Sequence, residues 1–141
     1  MENSLSGFEF LSCIPGTIGG GIKMNAGCFQ REFKDILISI QAVNKSGQVI
    51  TIPAKDINFK YRESGLSEDL IFLSASVTGV RKDRNLIESE IRLLKEKKEQ
   101  TQPTKIKTSG STFKNQIDKT DKKVWQLIKD SVPLKKAFGD A

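Results

Sequence analysis

The sequence predicts a mixed α+β fold. Its 141 residues with 37% hydrophobic content suffice for one ordinary domain or two small ones. Residues 36–52 alternate between apolar and polar side chains in the manner of β-strands. Residues 70–80 form the most hydrophobic β-rich run, which we expect to be the central strand of the sheet. From residue 83 the apolar residues recur with the period of an amphipathic helix, so strand patterns are followed by a helical one.

A glycine-rich loop, residues 11–27, precedes the first long strand. It contains five glycines and one proline, carries almost no charge, and shows neither a helical nor a strand period. Glycine costs backbone entropy, so such a cluster is typical of tight turns or of backbone lying against a bulky group. Two interpretations stay open: a plain turn between two strands, or a loop whose amides bind a phosphate or another electron-rich group.

The elements after the loop have clear local signals. Residues 27–34 have the pattern of a turn and return. Residues 36–43 and 48–52 are predicted to form a hairpin, because Asn-Lys-Ser-Gly at residues 44–47 is typical of a turn. Residues 53–57 predict a single helical turn after a proline.

A helix follows the last predicted strand. Asp83 or Asn85 has the side chain of an N-cap, and we expect the helix to end near Glu99 because Pro103 disfavours helix before it. Four apolar residues fall near one stripe of this helix: Leu86, Ile87, Ile91 and Leu94.

A polar segment at residues 101–109 predicts a boundary between two domains, residues 1–101 and 102–141. The second domain has one predicted helix over residues 122–130. Its apolar face would consist of Val124, Trp125, Leu127 and Ile128.

Composition narrows the function classes. Cys13 and Cys28 lack Cys-x-x-Cys spacing and the chain has no histidine, which argues against a zinc site and a disulfide and favours two buried or half-buried thiols. No apolar run reaches the length of a membrane span, and the N-terminus lacks a signal-peptide pattern. We therefore expect a soluble cytosolic protein without a bound metal.

The positive charge lies towards the C-terminus. Residues 103–141 carry nine lysines, no arginine and four aspartates. A phosphate-bearing small molecule is a candidate partner, and a solvated lysine face is the simplest alternative. Nucleic acid is a weaker candidate, because arginine is absent there and aromatic residues are sparse.

Three places have residues suited to chemistry: the glycine-rich loop, Arg62 and Ser111. Arg62 in the pair Tyr61-Arg62 suits a carboxylate or enolate oxygen, although a surface ion pair is the more common role for such an arginine. Ser111 could act as nucleophile or proton donor, or belong to a structural turn. Without histidine, a Ser-His-Asp hydrolase is excluded.

Four motifs together resemble one enzyme family. The first is Ile-Pro-Gly-Thr-Ile-Gly-Gly at residues 14–20 with Met-Asn-Ala-Gly at 24–27. Phe-Lys-Tyr-Arg-Glu-Ser at residues 59–64, Gln-Pro at 102–103 and Gly-Ser-Thr-Phe-Lys-Asn at 110–115 follow in order. In this order and spacing they resemble the UDP-N-acetylenolpyruvoylglucosamine reductases, also called UDP-N-acetylmuramate dehydrogenases, of peptidoglycan precursor synthesis.

The resemblance implies a fold and a cofactor. The fold would be the second half of a vanillyl-alcohol-oxidase-type FAD-binding domain (residues 1–101), followed by the start of an α+β substrate-binding domain (residues 102–141). NADPH would reduce the FAD, which passes hydride to the enolpyruvyl double bond of the UDP-sugar substrate. The residues that the resemblance places against the flavin are Ile14, Pro15, Gly16, Thr17, Ile18, Gly19, Gly20, Met24, Asn25, Ala26 and Gly27.

The resemblance also implies catalytic and substrate-binding residues. Arg62, in the Tyr61-Arg62 motif, would neutralise charge on the substrate carboxylate, and Ser111 would donate the proton that quenches the enol. Tyr61 would contact the substrate, and Asn115 its pyrophosphate.

The family pattern continues before Met1 and after Ala141, so we expect a central piece of the enzyme. A complementary chain would carry the missing N- and C-terminal parts. The alternative functions are a non-catalytic module binding an anion, a UDP-sugar or nucleic acid, and an inert remnant.

Overall fold

A computed structural model of the protein describes residues 3–101, 113–115 and 119–132. The chain separates into two compact units, Met1–Lys107 and Thr108–Ala141. The first unit mixes strands and helices, which confirms the predicted α+β class, whereas the boundary between residues 101 and 102 stays a prediction. The helices and strands are β1 (Leu5–Ser6), α1 (Ile18–Lys23), β2 (Gly27–Cys28), β3 (Arg31–Glu32), β4 (Leu37–Val43), β5 (Val49–Pro53), β6 (Ile71–Val77), β7 (Val80–Arg81), α2 (Arg84–Thr101) and α3 (Val124–Ser131).

An antiparallel sheet with strand order β5-β4-β6 provides the frame of the first unit. The predicted hairpin of β4 and β5 is confirmed, and Asn44 Oδ1 accepts hydrogen bonds from the backbone N–H groups of Ser46 and Gln48, both at 3.0 Å. The predicted helical turn is the 3₁₀ helix Ala54–Asp56. Alternation along β4 puts Ile40 and Ala42 in the interior.

The expectation of a central strand at residues 70–80 is wrong. The segment divides into β6, which is an edge strand of this sheet, and β7, which pairs with β1. Ile71 and Leu73 of β6 are 67% and 55% exposed. The division falls just before Gly79, where any Cβ would overlap the Phe8 ring. The prediction from hydrophobicity was wrong because the apolar content of a strand does not determine which strands it pairs with.

The core of the first unit lies between the sheet and the glycine-rich segment. Its buried members come from a 3₁₀ helix at Glu9–Cys13, from α1, from the 3₁₀ helix Phe33–Asp35, from β4 and from the loop before residue 60. They are Phe10, Ile22, Phe33, Ile36, Leu37, Ile40 and Ile57.

The glycine-rich segment contains a helix that its composition did not predict. Thr17 is the N-cap of α1, and its Oγ1 accepts a hydrogen bond from Gly20 N at 3.1 Å. Ile22 on this helix is 1% exposed, so burial against the core stabilises a six-residue helix despite its three glycines. The predicted turn and return that follows is the two-stranded pair β2–β3.

Helix α2 begins and ends close to the prediction. Asp83 Oδ1 accepts hydrogen bonds from Asn85 N at 2.8 Å and Leu86 N at 3.4 Å, which confirms Asp83 as the cap. The helix extends to Thr101, two residues past the expected end. Ile87 is buried as predicted, but Leu86 is 56% exposed and lies outside the buried stripe.

Helix α3 of the second unit covers Val124–Ser131, close to the predicted range. Trp125 on its predicted apolar face is 59% exposed. No helix within the described ranges is long and apolar enough to cross a membrane.

Gly21 and Gly19 allow a paired test of packing in α1. We predict that Gly21→Ala lowers the free energy of unfolding by about 1–3 kcal/mol, because its methyl group would overlap the buried Phe33 ring. Gly19→Ala is the matched control: its Cβ would lie 3.7 Å from Phe72, an ordinary contact, and its helix propensity should raise stability by up to about 1 kcal/mol. Urea unfolding of both variants measures the difference, and equal stabilities would contradict the packing role of Gly21.

The turn between β2 and β3 has an unfavourable sequence. Phe29 and Gln30 have φ angles of 51° and 64°, a left-handed conformation in which hairpin turns prefer glycine or asparagine. We expect Gln30→Gly to raise the free energy of unfolding by about 0.5–1 kcal/mol. The control Gln41→Gly, at an exposed position inside β4, should instead lower it by a similar amount. Thermal melting checks both signs.

Candidate functional site

The structure brings together two of the three predicted groups, the glycine-rich loop and Arg62. Arg62 Nη2 donates a hydrogen bond to the carbonyl oxygen of Gly27 at 2.9 Å. Its Nη1 lies 3.5 Å from the carbonyl oxygen of Asn25. The guanidinium therefore binds the end of the loop, although the two segments are 35 residues apart in the chain.

A tight turn presents Arg62. Lys60 and Glu63 exchange two backbone hydrogen bonds, at 2.8 and 3.2 Å, and Arg62 lies between them with φ at 56°. A positive φ is strained for arginine and persists only where surrounding contacts fix it, which is common at functional sites. The Tyr61 ring lies against the guanidinium, with 4.8 Å from its centroid to Cζ of Arg62.

Asn25 fixes the geometry between the loop and this turn. It is 0% exposed, and its Nδ2 donates to the Lys60 carbonyl and to Glu32 Oε2, both at 3.0 Å. Its Oδ1 accepts a hydrogen bond from the backbone of Lys34 at 3.1 Å. Its φ of 39° is one that asparagine tolerates better than most residues. The predicted flavin contact of Asn25 stays a prediction, and its side chain makes the buried hydrogen bonds described above.

Glu32 is a site residue that sequence reasoning missed. Its Oε1 lies 3.6 Å from Nη1 of Arg62, and its Oε2 lies 2.8 Å from Nζ of Lys34. The hydrogen bond that Lys34 donates to the Glu32 carboxylate raises the pKa of Lys34 above its usual value. Sequence reasoning did not link Glu32 to the site, because Arg62 comes from a segment distant in the chain.

The other half of the glycine-rich loop faces outward. Gly16 has φ of 124°, and no atom lies within 4 Å of where its Cβ would be. Ile18 and Met24 are 55% and 44% exposed. Apolar side chains beside exposed backbone fit a ligand that combines a flat ring with phosphates. The predicted flavin-facing residues that are exposed here are Pro15, Gly16, Thr17, Ile18, Gly20 and Met24.

The remaining predicted residues divide into three cases. Ile14 and Ala26 are half-buried and pack against the core. Gly19 is half-buried, and Gly27 accepts the Arg62 hydrogen bond described above. Ser111 lies outside the described residues, and its role stays a prediction. In the second unit, Asn115 Oδ1 accepts a hydrogen bond from Val124 N at 3.0 Å, so it caps the first turn of α3.

The two cysteines are free thiols, Cys13 buried and Cys28 half-buried, as expected. Burial, together with the neighbouring Cys13, raises the pKa of the Cys28 thiol. Within residues 3–101, 113–115 and 119–132, no group of three or more His, Cys, Asp or Glu residues could hold a metal ion.

Comparison with known proteins shows consistent similarities. A family model described as an FAD binding domain matches residues 2–53. The UDP-N-acetylenolpyruvoylglucosamine reductase of Pelagibacter ubique is 67% identical over 141 residues, which is 100% of this chain and 47% of that protein. The reductase of the same description from Rickettsia conorii is 44% identical over 89% of this chain and 42% of its own length.

The backbone similarity agrees with the sequence similarity. A crystal structure of UDP-N-acetylenolpyruvylglucosamine reductase from Thermus caldophilus matches with a TM-score of 0.78 and 26% identity, over 92% of this chain and 46% of that one. The chain thus spans less than half the length of these relatives.

The buried amide of Asn25 gives a sharp stability prediction. We expect Asn25→Ala to lower the free energy of unfolding by about 2–4 kcal/mol, because the Lys34 N–H loses its hydrogen-bond partner, Lys60 O and Glu32 Oε2 each lose one donor, and a cavity forms at a fully buried position. The control Asn85→Ala, at an exposed position of α2, should change it by less than about 0.5 kcal/mol. Urea unfolding measures both, and a neutral Asn25→Ala would show that the network is not needed for folding.

Proposed function

Because the chain belongs to the UDP-N-acetylenolpyruvoylglucosamine reductase family, we propose that it forms part of a flavoenzyme of peptidoglycan precursor synthesis. The reaction is reduction of the enolpyruvyl group of UDP-N-acetylglucosamine enolpyruvate to give UDP-N-acetylmuramate, with NADPH as reductant. The observation that carries the proposal is the contact of Arg62 with the glycine-rich loop, supported by 67% identity along the whole chain.

The outward half of the loop is the proposed FAD site. Residues 14–20 and 24–27 would lie against the cofactor, and the exposed Ile18 and Met24 supply apolar surface for its ring. Glycine at 16 allows close approach, because its backbone has a left-handed φ and no neighbouring atom where a side chain would be. Bound FAD would supply hydride transfer between NADPH and the substrate.

Arg62 is the proposed clamp for the substrate carboxylate. Its guanidinium donates a hydrogen bond to Gly27 O, and the Arg62 side chain is 29% exposed, so the group is both fixed and accessible to a ligand. Negative charge builds on the carboxylate as the double bond is reduced, and a fixed cation there is worth about 3–4 kcal/mol in the transition state. Ser111 is the proposed proton donor, and Tyr61 and Asn115 are proposed substrate contacts.

The domain assignment follows from the same proposal. Residues 1–101 would be part of an FAD-binding domain of the vanillyl-alcohol-oxidase type, and residues 102–141 the beginning of a substrate-binding domain.

The relatives are more than twice as long as this chain, so we propose that a complementary segment completes the site. The use of NADPH and a nucleotide-sugar substrate supports a cytoplasmic location.

A chimera tests this function. This chain replaces the corresponding 47% of the Pelagibacter ubique reductase, and the purified chimera is examined for FAD absorbance and for NADPH oxidation that depends on the enolpyruvyl substrate. We expect both. Arg62→Lys should lower kcat/KM by about a hundredfold or more, because lysine cannot reproduce the fixed planar donor set. Arg84→Lys, which alters an exposed ion pair on α2, should leave it unchanged.

The outcomes separate the alternatives. A folded chimera that binds FAD but does not reduce the substrate would contradict the proposed reaction. The non-catalytic binding module would be favoured by two results together. The chimera would fold without binding FAD, and the 141-residue chain would bind a UDP-sugar or nucleic acid at physiological salt. A 141-residue chain without cooperative melting would favour the inert remnant.

A further inference from the structure

We propose that Glu32 is the positioning residue of the site: its carboxylate holds the Arg62 guanidinium in the orientation in which it receives the substrate carboxylate. The inference rests on the proposed function and adds to it a residue that no motif indicated. It starts from the position of Glu32 between two cations, with Oε1 3.6 Å from Arg62 Nη1 and Oε2 2.8 Å from Lys34 Nζ.

The Glu32 carboxylate is itself held in place. Asn25 Nδ2 donates to its Oε2 at 3.0 Å, and Asn25 is fully buried. Its side chain also accepts a hydrogen bond from the backbone of Asp35, at the start of a 3₁₀ helix. Three donors therefore orient the carboxylate. They are the side-chain amide of Asn25, the backbone N–H of Asp35 and the ammonium of Lys34. The Oε1 atom of this carboxylate is the one that lies near Arg62.

The charges of the cluster favour an anionic ligand. Glu32 alone would neutralise Arg62, but Lys34 offsets the carboxylate on its other oxygen. The cluster of Glu32, Lys34 and Arg62 therefore keeps one net positive charge. At 3.6 Å the contact between Glu32 and Arg62 is too long for a strong hydrogen bond, so a substrate carboxylate can take the closer contact without first breaking one.

Partial burial makes this contact more effective than a surface pair. The side chains of Glu32 and Arg62 are 19% and 29% exposed, whereas Arg84 and Glu88 on α2 form an exposed pair at 64% and 45%. Arginine has many rotamers, and an arginine already fixed near its bound orientation loses less freedom when the ligand arrives. Losing this preorganisation would weaken binding, but removing the Glu32 charge would favour an anionic ligand and offset that loss. The effect of Glu32 should therefore appear mainly in the rate of the reaction, where the orientation of Arg62 matters.

Glu32→Gln separates the charge of Glu32 from its hydrogen bonds. Glutamine retains an oxygen that accepts from Asn25 and Asp35, but it removes the attraction to Arg62. Glu88→Gln is the matched control, because it removes the partner of Arg84 from an exposed ion pair on α2 that involves neither Glu32 nor Arg62. Glu32→Gln removes the carboxylate partner of Arg62, whereas Glu88→Gln removes that of Arg84.

The first measurement needs no substrate or cofactor. Nitrogen-15 NMR of the 141-residue chain follows rotation of the Arg62 guanidinium, and a thermal melt followed by circular dichroism gives the midpoint of unfolding. We expect Glu32→Gln to accelerate that rotation by about tenfold or more with little change in the midpoint, and Glu88→Gln to leave Arg62 unaffected. Unchanged Arg62 rotation in Glu32→Gln would overturn the proposal.

The second measurement separates positioning from structural support. In the chimera with the Pelagibacter ubique reductase, Glu32→Gln should lower kcat by about ten- to a hundredfold, with substrate affinity unchanged or tighter because a negative charge has been removed. Glu32→Asp should recover part of kcat. Loss of kcat accompanied by weaker substrate binding and a lower thermal midpoint would show a merely structural role and overturn the proposal.

The two measurements distinguish the failure of the inference from that of the function. A wild-type chimera without substrate reduction contradicts the proposed function, and the positioning role falls with it even if the NMR arm shows that Glu32 restrains Arg62. An active wild-type chimera with an unaffected Glu32→Gln variant overturns the positioning role alone.

Discussion

The buried amide of Asn25 is the constraint on which the site depends. It forms hydrogen bonds with the Lys60 carbonyl, the Glu32 carboxylate and the Lys34 backbone. It therefore joins the end of the glycine-rich loop to residues 32–34 and to the turn that begins at Lys60. A buried amide without partners costs free energy, and each partner is therefore held in a narrow range of positions. The turn that carries Arg62 and the strand that carries Glu32 are located through this one side chain.

The glycine-rich segment divides into two halves with different roles. Gly21 and Gly27 are needed inside, because a Cβ at either would overlap the Phe33 side chain or the Arg31 backbone. Gly16 and Gly20 are exposed, and no atom lies within 4 Å of where a Cβ at Gly16 would be. The two interpretations of the sequence are thus compatible: close packing requires some of the glycines, and the others are available to a ligand. The short helix α1 contributes to both halves, since Gly20 is exposed and the adjacent Gly21 is buried.

Electrostatics in the site depend on alternating charges. Lys34, Glu32 and Arg62 follow one another through contacts of 2.8 and 3.6 Å, which gives the series one net positive charge. The Lys34 and Arg62 side chains at its two ends are 48% and 29% exposed. A surface ion pair contributes little to stability, but an ordered series at a half-buried position fixes side chains in a defined orientation. A cluster with this net charge would suit the carboxylate of an anionic ligand.

Local signals in the sequence determined the hairpin at residues 36–52, the helix that Asp83 caps and the motifs that indicate the family. These features depend on residues close together in the chain, so turn residues, caps and periodicity are sufficient to predict them. Only the tertiary structure decided that β6 is an edge strand, that α1 forms among glycines, and that Glu32 meets Arg62. Each of these depends on contacts between segments far apart in sequence. A strand's neighbours, the burial of Ile22 and the partner of a carboxylate cannot be read from local composition.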